Sequence, residues 1–348
     1  MIEARTGTSI EVDGQDLNEL ARATDLSING TAGRLAQVDS AAGTARFLGN
    51  MRQGLNTFSV GGVRREVTFW LENRKLARFE LPYRKSYAVI IAVGDYERRK
   101  QPGSTPTGYD SVPGMLERAH QLVKVLTQVG FPSENIIPLF DTAATSTNIE
   151  VTLRDFWTGG RFADADRVFV YYGGHGDVLR TTGTPFLVSY DFDARRPTAT
   201  GVVLQNLTQV HAREIVANHV LFAIDACHAG LAAPKGLGGG LDEAYVKRFH
   251  TLSVIRAAVE SKARNMIVAG TGDQRALYDN GGIFTTALVQ ALSGSADANR
   301  DGLIQFRELG LSVDNQVVAK AAESGVAQKP DPYSLFGDGE FMFLLSKP

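Results

Sequence analysis

Val168-Phe169-Val170-Tyr171-Tyr172-Gly173-Gly174-His175-Gly176-Asp177 and Leu221-Phe222-Ala223-Ile224-Asp225-Ala226-Cys227-His228-Ala229-Gly230 decide the reading of this chain. Each begins as a short, near-continuous apolar run, the pattern of a strand covered on both faces, and each ends in a turn rich in small residues. Two runs of the same kind, Ala88–Val93 and Met266–Ala269, lie before and after them. Helical patterns are interspersed at Met115–Leu126, Ile149–Phe156, Phe284–Leu292 and Phe306–Ala322. Strand alternating with helix predicts an α/β domain with a largely parallel sheet flanked by helices. In such sheets ligands gather at the carboxyl ends of the strands, which is where His175 and Cys227 fall.

Cys227 is the only cysteine in 348 residues. A single thiol on an apolar run is ordinarily a small core residue, and a histidine in a glycine-rich turn is ordinarily structural. Placed together at paired strand ends, with glycine punctuation at both, they read as nucleophile and base. A thiol attacks a carbonyl as thiolate and needs a base beside it. His175 can take that proton and later deliver it to a leaving amine. Gly174 and Gly176 let the backbone approach a substrate closely. The amides of Gly176 and Cys227 are then candidate donors to a developing oxyanion. His228 is a rival base, but neighbouring residues on a strand point to opposite faces, which favours His175.

Tyr-Tyr-Gly-Gly-His-Gly-Asp at 171–177 and Asp-Ala-Cys-His-Ala-Gly at 225–230 resemble the two catalytic blocks of the caspase-like peptidases, closest to their metacaspase and bacterial orthocaspase branch. A cysteine box with a histidine about 50 residues upstream is the spacing of that group. Tyr87–Tyr96 is similar to the family's first strand, and Ala269–Gln274 with Gly282–Thr285 to a later strand and the helix after it. The resemblance spans about residues 86–345. It implies a caspase-haemoglobinase-like fold and an endopeptidase with a Cys227–His175 dyad and no catalytic metal. Protein or peptide substrates follow from it.

Residues 1–85 read as a separate, all-β unit, with an Asn29-Gly30 hairpin signal and two strands, Glu66–Leu71 and Leu76–Leu81, joined at 72–74. A small immunoglobulin-like sandwich is expected there, ahead of a peptidase domain at 86–348. Bacterial relatives of the family carry such a β-sandwich as well.

Asp225 precedes the nucleophile by two positions, so alternation on a strand puts it on the same face as Cys227. A carboxylate there suits the pocket for the residue before the scissile bond and selects arginine or lysine. In metacaspases the matching aspartate is given this role; the alternative is a turn cap or a local ion pair. Relatives often place a second pocket acid in a Gly-x-x-x-Asp-Ala stretch, where Gly114-Met115-Leu116-Glu117-Arg118-Ala119 has arginine instead. Arg118 is thus expected to oppose Asp225, with Glu117 facing elsewhere.

Asp297-Ala298-Asn299-Arg300-Asp301-Gly302-Leu303-Ile304-Gln305-Phe306-Arg307-Glu308 fits the twelve-residue EF-hand loop at every position. Asp297, Asn299 and Asp301 supply side-chain oxygens, Leu303 a carbonyl, Gln305 the ninth position and Glu308 a bidentate carboxylate. Hard oxygen donors at this spacing favour Ca2+. The alternative is an acidic Asp-Gly turn. With one loop, a structural or activating ion is expected rather than a sensor pair.

Lys235, in the glycine-rich stretch 232–241 with Arg248 and Arg256 beyond it, is a candidate self-cleavage point, because glycine-rich tips are where nicking concentrates. Thirty-six basic and 38 acidic residues give a net charge of −2, which argues against nucleic acid. No apolar run reaches the length of a membrane span. The opening Met1–Arg5 lacks a signal-peptide pattern, and a single cysteine suits a reducing compartment, so a cytoplasmic monomer is expected. The other function class is a catalytically silent caspase-like interaction module with a structural calcium site.

Overall fold

The sheet that carries both motifs has six strands. In chain order the elements around it are β1 (Ser86–Ala92), α1 (Met115–Gln128), β2 (Ile136–Phe140), α2 (Ser146–Arg154), β3 (Arg167–Gly173), β4 (His219–Asp225), α3 (Leu252–Glu260), β5 (Ala263–Val268), α4 (Ile283–Gln290), α5 (Phe306–Glu323) and β6 (Asp331–Phe336). The strand order is β2-β1-β3-β4-β5-β6, parallel through β5, with β6 antiparallel to it. This computed structural model describes residues 4–5, 10–13, 27–32, 34–39, 44–48, 54–60, 63–72, 75–79, 81–96, 108–232, 252–270, 282–299 and 301–345.

Every residue of β3, β4 and β5 is buried, as expected of strands covered on both faces. That is why their sequences read as continuous apolar runs. The outer strands do not read that way. Pro138 in β2 and Pro332 in β6 each remove a ladder donor, which only edge strands tolerate. The runs at 136–140 and 331–336 therefore lack a strand signature in the sequence.

Two arginines are buried here with no carboxylate partner among the described residues. Arg167, at the foot of β3, donates to Ser86 Oγ (2.8 Å) and to the carbonyls of Met342 (2.5 Å), Gly130 (3.0 Å) and Val129 (3.2 Å). Its guanidinium sits 4.4 Å from the Tyr83 ring centre and 4.2 Å from that of Phe131. Arg264 in β5 gives its protons to the carbonyls of Ala212, Ile215, Ala217, Asn218 and Ala263. A planar fork of donors satisfies several converging carbonyls at once, which a lysine cannot do.

The chain divides into two compact units. One comprises Met1–Leu81, Arg248–Arg256 and Asn299–Leu303; the other comprises Pro82–Lys247, Ala257–Ala298 and Ile304–Pro348. The first contains an antiparallel sheet in the order Ala4–Arg5, Lys75–Phe79, Val63–Glu72, Gly54–Val60, Ser27–Ile28, Thr31–Ala32. Ile10–Asp13, Thr44–Leu48 and Arg34–Asp39 form a three-stranded one. Asn29 (φ 54°) and Gly30 (φ 77°) turn the hairpin between 28 and 31, the positive pair that a tight two-residue turn requires.

Candidate active site

The parallel register of β3 and β4 sets Tyr172 opposite Ile224 and Gly173 opposite Asp225. Past these strand ends the two motifs stay in backbone contact. The Gly174 N–H donates to the Asp225 carbonyl at 3.2 Å. A Cβ added to Gly176 would stand 2.3 Å from the Cys227 carbonyl oxygen, so only glycine lets these segments lie this close. His175 and Cys227, both partly buried, thus leave neighbouring strands at the same end of the sheet. Gly176 then starts a short antiparallel ribbon, 176–178 pairing with 185–187, which turns the chain away behind the histidine.

Strand alternation does not extend to Cys227. β4 ends at Asp225, and Cys227 lies in the turn that follows. Strand faces therefore do not separate His175 from His228. What distinguishes His228 is its left-handed backbone (φ 59°) and a buried Nδ1 that has no hydrogen-bond partner among the described residues.

Three tyrosines, none singled out by the sequence, surround His175. Its N–H donates to Tyr96 Oη at 2.9 Å, and its carbonyl accepts from Tyr172 Oη at 2.8 Å. Gly174 beneath them (φ 153°) leaves room for both hydroxyls, since a Cβ there would lie 2.5 Å from Tyr96 Oη and 2.9 Å from Tyr172 Oη. The Tyr96 and Tyr109 rings stand 4.9 and 5.2 Å from the imidazole. Burial pushes the Tyr96 hydroxyl well above its ordinary pKa, so it stays a neutral donor and acceptor.

The imidazole Nε2 lies 2.8 Å from the Asp110 carbonyl oxygen. A carbonyl can only accept, so Nε2 carries the proton and Nδ1 is the basic nitrogen. Burial lowers the His175 pKa, while the Asp110 carbonyl and the Asp110 and Asp177 charges act in the opposite sense. The result is an oriented imidazole whose protonation is disfavoured.

Asp225 is fully buried. Its Oδ2 accepts from Thr285 N at 3.2 Å and from Thr285 Oγ1 at 2.5 Å, and Tyr171 Oη lies 2.6 Å from the same Thr285 hydroxyl. Thr285 is in the first turn of α4, so the carboxylate satisfies one of the helix's otherwise unpaired amides. Burial raises its pKa to about 7, against the Thr285 bonds that lower it. Asp225 thus engages the start of a distant helix rather than a local turn. Arg118 does not oppose it: its Nη1 donates to Gln121 Oε1 at 2.9 Å, and among the described residues its buried Nε has no hydrogen-bond partner.

In the 297–308 loop, Gly302 has the left-handed backbone (φ 86°) that its sixth position demands. Asp301 is held by its neighbours, accepting from Leu303 N (2.8 Å) and Asn299 Nδ2 (2.7 Å). Glu308 and Gln305 form a reciprocal cap at the start of α5, with Gln305 N donating to Glu308 Oε2 at 3.0 Å. Among the described residues no group of three or more His, Cys, Asp or Glu side chains is gathered so as to hold a metal ion. The Asp301 and Glu308 carboxylates are thus turned to internal hydrogen bonds. Lys235 and Arg248 lie outside the described residues, whereas Arg256 is exposed on α3. Among the described residues no helix is long and apolar enough to cross a membrane.

Residues 85–338 match the family model for the caspase domain, peptidase family C14. The crystal structure of Caspase-1 from Spodoptera frugiperda is similar at 16% identity, covering 75% of this chain and 88% of that one, with a TM-score of 0.46. No curated protein gives a significant match. The family match agrees with a mixed, mostly parallel sheet between helices.

Proposed function

Because the chain belongs to the caspase-domain family, we propose that it is a cysteine endopeptidase in which Cys227 is the nucleophile and His175 the base, cutting after arginine or lysine. The observation that carries this reading is the Gly174 N–H to Asp225 carbonyl bond at 3.2 Å, which ties the histidine motif to the cysteine motif.

His175 Nδ1 takes the thiol proton as Sγ bonds to the scissile carbonyl carbon, and the carbonyl π pair moves onto oxygen. The Gly176 and Cys227 amides donate to that oxyanion. Collapse of the adduct breaks the C–N bond, and the imidazolium returns its proton to the departing amine. Water, deprotonated by His175, then attacks the thioester carbonyl; the acid product leaves and the proton ends on Sγ. Selectivity for a basic residue rests on Asp225, whose charge burial suppresses until a guanidinium or ammonium pairs with it.

Calcium is proposed as a supporting ion of the 297–308 loop, held by Asp297, Asn299, Asp301, Leu303, Gln305 and Glu308 once Asp301 and Glu308 turn out of their internal bonds. Self-processing at Lys235 and an immunoglobulin-like architecture for residues 1–85 belong to the same proposal.

A panel of fluorogenic Arg, Lys and Asp peptides, run with calcium and with chelator, tests it. Hydrolysis of the Arg and Lys peptides that disappears in Cys227→Ala is expected. Turnover that survives in Cys227→Ala refutes the nucleophile; no turnover at all favours the silent interaction module. Preference for the Asp peptide refutes the role of Asp225. Calorimetry with CaCl2 that shows no heat with wild type, or the same heat with Asp301→Ala, refutes the calcium loop.

A further inference from the structure

We propose that Tyr109 and Asp177 form a brace that fixes His175 relative to the Asp110 carbonyl; this rests on the peptidase reading above. The Tyr109 hydroxyl donates to Asp177 Oδ2 at 2.7 Å. Tyr109 directly precedes Asp110, whose carbonyl holds the imidazole Nε2 at 2.8 Å, and Asp177 follows His175 by two positions. The two bonds therefore run side by side between the same pair of chain segments. One is the orienting bond to the base, and the other holds the spacing across which that bond forms.

Asp110 itself is exposed, so its segment is not locked by burial of that side chain. The Tyr109 ring supplies the missing support. It faces the imidazole at 5.2 Å with an interplanar angle of 30°, lies 6.3 Å from the Tyr96 ring, and meets the buried Phe192 edge-on at 5.7 Å. Gly176 pairs with Leu187 and Asp177 with Phe186 in the ribbon, which gives the brace a fixed anchor. Among the described residues the charged or titratable groups around His175 include Asp110, Asp177, Tyr96, Tyr109 and Tyr172, with Cys227 on the adjoining motif. Tyr109 and Asp177 are positioning residues, because they act through His175.

Two variants separate the brace from the charge. Tyr109→Phe keeps the ring and removes the hydroxyl. Asp177→Asn keeps an acceptor for Tyr109 and removes the charge. Using an Arg fluorogenic peptide, the brace predicts that Tyr109→Phe lowers kcat by about tenfold or more, leaves KM within about twofold, and leaves the thermal midpoint unchanged, as for loss of base alignment. Asp177→Asn should hold kcat within about threefold above neutral pH and move the acid limb of the profile downward. The pH profile of Cys227 alkylation by iodoacetamide provides a second readout that needs no substrate. Tyr109→Phe should shift it in the direction of His175→Ala.

A Tyr109→Phe variant that matches wild type in kcat and in the alkylation profile overturns the brace. So does a fall in kcat accompanied by a matching fall in thermal midpoint, which would make Tyr109 a packing residue. If wild type hydrolyses no peptide, the peptidase reading fails and the alkylation profiles alone decide the brace.

Discussion

Thr285 gives Asp225 two hydrogen bonds, from its main-chain N–H at 3.2 Å and its hydroxyl at 2.5 Å, across sixty positions of sequence. One carboxylate thus meets the first turn of α4 and ends the strand that leads into the Cys227 turn. Asp225→Asn keeps acceptor geometry and removes the charge. Cleavage after Arg or Lys should fall roughly 10- to 100-fold, the worth of a charge-assisted hydrogen bond. Stability gives an independent sign. Burial raises this carboxyl from 3.8 to about 7, so the folded chain holds a proton that the unfolded chain releases. The group's contribution is fully present below the unfolded value and is lost as pH rises through about 7. Urea midpoints should therefore decline between those limits in wild type more than in Asp225→Asn; parallel declines would contradict the raised value.

The His175 pKa is lowered by burial. The base accordingly stays neutral below the ordinary imidazole value, and the acid limb of kcat/KM should fall below about pH 6.5. A limb at or above that value would mean that the Asp110 and Asp177 charges outweigh burial.

Gly176→Ala places a methyl 2.3 Å from the Cys227 carbonyl oxygen, a backbone atom that cannot swing aside. The two segments must part, which displaces both proposed oxyanion donors. A loss of kcat on the order of 10²-fold is expected, the cost of losing one such donor. Gly183→Ala is the control. Its φ of 69° is left-handed, unlike that of Gly176, but nothing lies within 4 Å of the added carbon, so a cost of about 1 kcal/mol and unchanged kcat are expected. Equal kcat losses in the two variants would argue for a general folding defect.

Arg264→Lys leaves at most three donors where the guanidinium serves the carbonyls of Ala212, Ile215, Ala217, Asn218 and Ala263. Abandoned buried carbonyls should lower unfolding free energy by about 2–4 kcal/mol, read from denaturant midpoints. A change under about 0.5 kcal/mol would show that water replaces the lost donors.

What the sequence disclosed follows from how each strand is covered. β1, β3, β4 and β5 are buried on both faces and read as apolar runs, and both reactive residues lie just past two of them. β2 and β6 are proline-bearing edges with mixed exposure, and hairpin-like pairing at 176–178 and 185–187 is too short to mark itself. Asp225 was visible as a carboxylate near the thiol, but its partner was not, because no local pattern links it to Thr285. The tyrosines around His175 carried a fainter signal. Tyr172 closes the apolar run directly before the glycine pair, and Tyr96 follows the end of β1. Polar hydroxyls at the carboxyl ends of adjacent buried strands are where a ligand-facing network forms. That clue was there to be used. The face alternation applied to Cys227 failed for a plain reason: the strand stops at Asp225.

Arg167 reaches from the first residue of β3 to the carbonyl of Met342, and Phe341 and Phe343 complete the aromatic surround of its guanidinium. A nascent polypeptide that has emerged through residue 338 holds every strand of the main sheet, yet this cation still lacks its closing acceptor. Such long-range closure is slow and leaves intermediates exposed. Synthesis must therefore run past every strand of the main sheet before Arg167, at the foot of β3, meets the Met342 carbonyl, so the base of that strand is closed last, by residues beyond β6.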